Sequence, residues 1–141
     1  MVDATQVGLQ YLQLAHHIRR TVDDQLAADG VSLSRLKLLQ AIDRLEPVNQ
    51  ARLAEELAQA PRSITQALES LQRDHLIRRH PSPTDARSNL VTLTPAGRTT
   101  LTTALATGNT ALHNLFTHLS HPQLTALRSA LTTLESALLQ S

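Results

Sequence analysis

A mainly α-helical chain with a small β-wing is the fold class this sequence predicts, and three observations predict it. Apolar residues recur at spacings of three and four along most of the 141 residues, the period of amphipathic helices. Two short runs break that rhythm, Leu76–His80 and Leu90–Thr94, and the second is rich in β-branched residues, with Val91 and Leu93 on one face. Between them Pro81, Ser82, Pro83, Thr84 and Asp85 are turn formers, followed by Arg87 near the tip, so the pair forms a protruding hairpin. Directly after it, Thr94-Pro95 restarts a helix, with Thr as N-cap and Pro at the first helical position.

The helices follow in order. Over residues 5–27, Tyr11, Leu14, Ala15, Ile18, Val22 and Leu26 fall on one face, and Asp29-Gly30 ends the helix. Ser32 caps a second helix to about residue 44, with Leu36, Leu39 and Ile42 inward. Pro47 breaks the pattern, and Asn49 caps a short third helix with Leu53 and Leu57 buried. A fourth opens at Ala60-Pro61, with Ile64, Leu68 and Leu71 on its core face. After the hairpin, a long helix runs from Pro95 to about residue 119. Ser120-His121-Pro122-Gln123 is a capping box, and the last helix carries the seam Leu124, Leu127, Leu131, Leu134 and Leu138. That seam spans only about two heptads, so it must pack on other helices, within the chain or across a dimer.

Composition narrows the class. Hydrophobic residues make up 41% and charged residues 18%, enough to fold one domain over 1–141. Aromatics amount to 1%, Tyr11 and Phe116, so aliphatic side chains build the core. The absence of Cys excludes disulfides and thiolate metal sites. No signal-peptide pattern and no long apolar run is present, which predicts a cytoplasmic protein without membrane contact. Net charge is only +1, but residues 31–98 hold ten cationic against seven acidic side chains. Arginine supplies all thirteen cations except Lys37, and its planar fork suits phosphates and base edges.

The third and fourth helices, joined by a tight turn, describe a helix-turn-helix, and the hairpin after them is its wing. In that motif the N-terminal residues of the second helix enter a major groove, where Arg and Gln match guanine and adenine edges. Arg62, Ser63, Thr65 and Gln66 lie on the polar face of the fourth helix at those positions. Arg73, Arg78 and Arg79 suit phosphates equally well as ion pairs with Asp74 or Glu69.

These residues resemble the MarR family of bacterial transcription regulators. The similarity rests on LAEELAQAPRSITQALESLQRDHLIRR, on Asp85-Ala86-Arg87 and on LVTLTPAGR, and the order of helices extends it over nearly the whole chain. The resemblance implies a winged helix-turn-helix over residues 32–98, carried on a helical dimerisation region from 1–30 and 99–141. It implies that Arg87 enters a minor groove and that Asp85 orients it, and a narrow minor groove does attract a guanidinium. It implies too that Asn49 and Gln50, at the start of the third helix, face phosphates, where backbone N–H groups also help. It implies a homodimer on double-stranded DNA, most plausibly a repressor at a pseudo-palindromic operator. It also implies release by a small ligand in a crevice near Tyr11, His17, Arg20 and Leu36. His75 stands where the family usually has Gly, a position demanding positive φ, and Ala60 is a poor cap.

Rival readings come from other classes. Gly8, Gly30, Gly97 and Gly108 form no phosphate loop, and no nucleophile elbow or paired-carboxylate constellation exists, so neither an enzyme nor a cofactor is expected. A metal-responsive regulator would draw on His16, His17, His113, His118 and His121, but His113 and His118 lie five apart and share no face. A winged-helix protein-interaction module without DNA binding is the remaining alternative.

Overall fold

Each helix start is fixed by a local hydrogen bond where the sequence supplies one. In the computed structural model, which describes residues 1–85 and 88–141, α1 (Ala4–Ala27) is capped by Asp3, which accepts from Gln6 N at 3.2 Å. Ser32 caps α2 (Leu33–Leu45) through Arg35 N at 3.1 Å. Asn49 caps α3 (Gln50–Glu56) through Arg52 N at 2.8 Å. Helix α4 (Pro61–Arg73) follows Ala60, which offers no side-chain cap. The capping box forms as expected at α6 (His121–Leu139), with Ser120 and Gln123 each satisfying the other's backbone N–H.

Three helix ends share one solution. After α1, Val31 N donates to Leu26 O and Gly30 N to Ala27 O; after α3, Gln59 N donates to Ala54 O and Ala58 N to Glu55 O. After α4, Leu76 N donates to Leu71 O and His75 N to Gln72 O. Each is a Schellman motif, whose penultimate residue adopts the left-handed conformation that favours glycine. Gly30 has φ 71°, but Ala58 has φ 50° and His75 φ 61°. The expectation for His75 therefore holds, and Ala58 repeats it unannounced. Ala58→Gly and His75→Gly should each raise stability by up to about 1 kcal/mol, because a Cβ costs roughly that much in this conformation. Urea unfolding would check this, and a lowered midpoint in both variants would contradict it.

The hairpin is part of a three-stranded antiparallel sheet. Strands β2 (Ile77–Pro81) and β3 (Asn89–Leu93) pair with Arg79 opposite Val91, one residue displaced from the predicted runs. The third strand, β1 (Val48–Asn49), pairs with β3 on its other side, giving the order β1-β3-β2. Two residues are too few to show an alternating pattern, so the sequence reading passed over it.

The described residues form two units, Met1–Gly108 and Asn109–Ser141, and α5 (Pro95–Phe116) begins in the first and ends in the second. In the first unit Leu26, Leu39, Ile42, Leu53, Ile64, Leu68, Leu71 and Val91 are fully buried. This core joins the end of α1 to α2, α3, α4 and β3. Leu57, expected inside, is only half-buried. The predicted apolar face of α1 is covered only at its end: Val22 and Leu26 are buried, whereas Tyr11 and Leu14 are about half exposed. In the second unit the leucine seam of α6 is half-buried at Leu124, Leu127 and Leu131 and exposed at Leu134 and Leu138.

Thr94 and Gly97 explain the start of α5. Thr94 Oγ1 accepts from Gly97 N at 3.0 Å and donates to His75 O at 2.7 Å, while Thr94 N donates to Leu76 O. A Cβ on Gly97 would lie 2.1 Å from Leu76 O, so only glycine lets the helix come this close to the strand. Arg98 reaches Asp43 at 3.0 Å and Glu46 at 2.6 Å, tying α5 to the end of α2.

Candidate nucleic-acid interface

Helix α4 has two unlike faces. Ile64, Leu68 and Leu71 are fully buried against the first unit's core. Arg62, Gln66, Glu69 and Arg73 follow at spacings of four, three and four, so they share the opposite face and are exposed. From Arg62 to Arg73 the stripe covers about 16 Å of helix axis at 1.5 Å per residue. Ser63 is exposed beside it.

Among the described residues, nothing holds the two cations at the ends of the stripe. Among the described residues neither Arg62 nor Arg73 makes an ion pair, and Arg78 on β2 makes none either. The ion pairs envisaged with Asp74 and Glu69 do not form. Asp74 is instead held by Arg35 at 2.5 Å, and the same guanidinium donates to Ser70 Oγ at 2.9 Å. Arg44 and Arg52 both pair with Glu56. Such exposed pairs add under about 1 kcal/mol each, but they mark which arginines have a partner on the protein.

Three of the expected contact residues have structural work of their own. Asn49 spends Oδ1 on capping α3. Gln50 and Thr65 are bonded to each other, with Gln50 Nε2 donating to Thr65 Oγ1 at 3.0 Å, and Thr65 Oγ1 donating to Pro61 O at 3.0 Å. Arg79 joins them, donating through Nη1 to Gln50 Oε1 at 3.0 Å and through Nε to Gln72 Oε1 at 2.7 Å. Sequence reading missed this network because its members lie 7 to 29 residues apart. One signal was available: alternation along β2 puts Arg78 and Arg79 on opposite faces, so the two could not share a role.

At the wing, Ser82 N donates to Ser88 O at 2.9 Å and Ser88 N to Asp85 O at 3.1 Å, closing the loop behind the tip. Asp85 is exposed. Ala86 and Arg87 lie outside the described residues, and with them the expected Asp85–Arg87 pairing. Next to the wing an open groove is bordered by Gln72, His75, Arg78, Arg79, His80 and the first residues of α5, a lining that includes two arginines and no acidic side chain.

The residues named for a ligand crevice are not gathered by this chain in the same way. Tyr11, His17 and Arg20 are exposed on α1, whereas Leu36 on α2 is only 5% exposed and packs near Gly108. The groove beside the wing includes none of the four. Among the described residues no group of three His, Cys, Asp or Glu side chains is placed to hold a metal ion. Within the same residues no helix is long and apolar enough to cross a membrane.

Two short helices at a tight turn, an exposed polar face on the second, and a hairpin behind it define a winged helix-turn-helix protein. Residues 29–88 match the sequence model of the MarR family. Among solved structures, a putative MarR-like transcription regulator from Bacillus cereus superposes with a TM-score of 0.87 at 18% identity, covering 95% of this chain and 96% of that one. The S. aureus MepR–DNA complex gives 0.81 at 17% identity over 97% and 99% of the two chains. A probable transcriptional regulator from Pseudomonas aeruginosa gives 0.79 at 26% identity over 91% and 96%. No curated protein matches the sequence. The chain is thus similar to MarR-family sequence over residues 29–88 and shares its fold with these solved regulators.

Proposed function

We propose that this chain is a sequence-specific DNA-binding transcription regulator that acts as a homodimeric repressor at a pseudo-palindromic operator. One observation carries the reading: the exposed face of α4 presents Arg62, Ser63, Gln66 and Arg73, with no partner for either arginine among the described residues, while its other face is locked in the core. A helix held this way enters a major groove end-on, where Arg62 and Gln66 have the donor patterns for guanine and adenine edges. The solved relatives support it, since MepR carries the same fold in a structure bound to DNA.

Exposed apolar side chains in 1–30 and 99–141 support the homodimer. On α1, Val7, Tyr11, Leu12 and Leu14 are exposed, and on α6 Leu134, Leu138 and Leu139 are. So many large apolar side chains left in water mark an association surface. Two-fold pairing would set two α4 helices into successive major grooves, about 34 Å apart on the duplex.

Selection from a random duplex library with the purified chain tests the proposal. Enrichment of a pseudo-palindrome with half-sites one helical turn apart is expected, and failure to enrich any sequence would contradict it. Arg87→Ala should then weaken binding to the selected duplex by roughly 1–3 kcal/mol per wing while leaving the melting temperature unchanged. Fluorescence anisotropy would read this, and an unchanged affinity would remove the wing from the interface.

A further inference from the structure

We propose that Arg79 is a positioning residue, one that sets the seat of the recognition helix α4 and does not itself contact DNA. The inference rests on the DNA-binding reading above and assigns β2 a task that reading leaves open. Arg79 reaches two helices with one guanidinium: Nε donates to Gln72 Oε1 near the end of α4 at 2.7 Å, and Nη1 donates to Gln50 Oε1 at the start of α3 at 3.0 Å. Gln50 passes the restraint on, its Nε2 donating to Thr65 Oγ1 in the first turns of α4.

Beside the burial of Ile64, that relay holds the start of α4. Ala60 supplies no side-chain cap. Among the described residues, Gln50–Thr65 is the one side-chain hydrogen bond tying positions 61–67 to another element. Those positions hold Arg62, Ser63 and Gln66, so a small rotation there would move the reading side chains off their bases. Arg79 is half-buried in the network, while Arg78 beside it is exposed and without an ion pair among the described residues. The strand thus presents one arginine to solvent and one to the helices. Only arginine fits the inner position, because its planar fork satisfies two oxygens in fixed directions and lysine's single ammonium cannot.

Two variants separate positioning from phosphate contact, with the wild type measured alongside on the selected duplex and on a scrambled one. Arg79→Lys keeps the charge and loses the fork. It should bind the selected duplex about tenfold or more weakly, with scrambled-duplex affinity within about twofold of wild type, because a phosphate contact would affect both duplexes alike. Arg79→Ala should show a comparable loss with an unchanged salt slope. Combined with Gln50→Ala, it should lose little more than the worse single variant, since both break one chain of bonds. If Arg79→Ala proves unfolded in a thermal melt, Gln72→Ala, at an exposed site, is read in its place and should lower selected-duplex affinity alone. Wild-type binding by Arg79→Lys, or a salt slope shallower by about two in Arg79→Ala, would assign Arg79 to a phosphate and overturn the inference. A wild-type chain that retains neither duplex would overturn the DNA-binding reading itself.

Discussion

Raising salt from 50 to 200 mM should weaken binding to the selected duplex by about a thousandfold. Each head offers Arg62, Arg73 and Arg78 as exposed cations without a protein counter-charge among the described residues. The two heads of the proposed dimer would bring about six such cations against the polyanion, and counterion release then predicts a slope of log K against log salt near −5. The other arginines of the region contribute less, because Arg35, Arg44, Arg52 and Arg98 already face Asp74, Glu56, Asp43 or Glu46. Anisotropy titrations at four salt concentrations would measure the slope. A loss under tenfold across this range would mean that the cationic face does not meet a polyanion.

The largest effect on stability is expected from Gly97→Ala. The added Cβ would stand 2.1 Å from Leu76 O and 3.1 Å from its carbonyl carbon, both backbone atoms that cannot turn aside. Relief requires moving α5 off β2, which also stretches the Thr94 N–Leu76 O and Thr94 Oγ1–His75 O bonds. Overpacking of about 1–3 kcal/mol and a further ~1 kcal/mol from the strained hydrogen bonds give about 3 kcal/mol. The melting temperature should fall by roughly 10 °C, taking about 3–4 °C per kcal/mol for a chain of this size. Gly108→Ala is the matched control. Its Cβ would meet only Leu36 Cδ2, at 3.7 Å, so the helical preference for alanine should raise stability by about 0.5–1 kcal/mol. Equal melting temperatures for the two variants would contradict the account of the β2–α5 junction.

What was legible in the sequence was whatever local chemistry dictates. Ser32, Asn49 and Ser120 sit at their helix starts because a short oxygen-bearing side chain before an apolar period has few better places to go. The wing strands were legible from β-branched residues and prolines, to within one residue. His75 was legible as a left-handed position, yet Ala58, in the same motif after α3, was not, since nothing in Leu57-Ala58-Gln59 signals a helix end. Long-range pairing was illegible. The partners of Arg98 lie 55 and 52 residues away, and those of Arg35 lie 39 and 35 away. Periodicity correctly marked one apolar face on α1, but it could not tell that the chain itself covers only the end of that face.

The candidate site divides the same way. Arg62, Ser63, Gln66 and Arg73 are where the helical period puts them, exposed on one side of α4. Asn49, Gln50 and Thr65 share the same polar character, but polarity alone does not distinguish a side chain that reads DNA from one that holds the reader in place. The geometry shows that each of the three makes a hydrogen bond within the protein.

The central claim, that the outer face of α4 reads base sequence, is tested most directly by the ratio of affinities for the selected duplex and a scrambled duplex of equal length at one salt concentration. The account predicts a ratio of about a thousand or more, the range of specific DNA readers. Affinities within a few-fold of each other would show a protein that holds the DNA backbone without reading it, and would contradict the account.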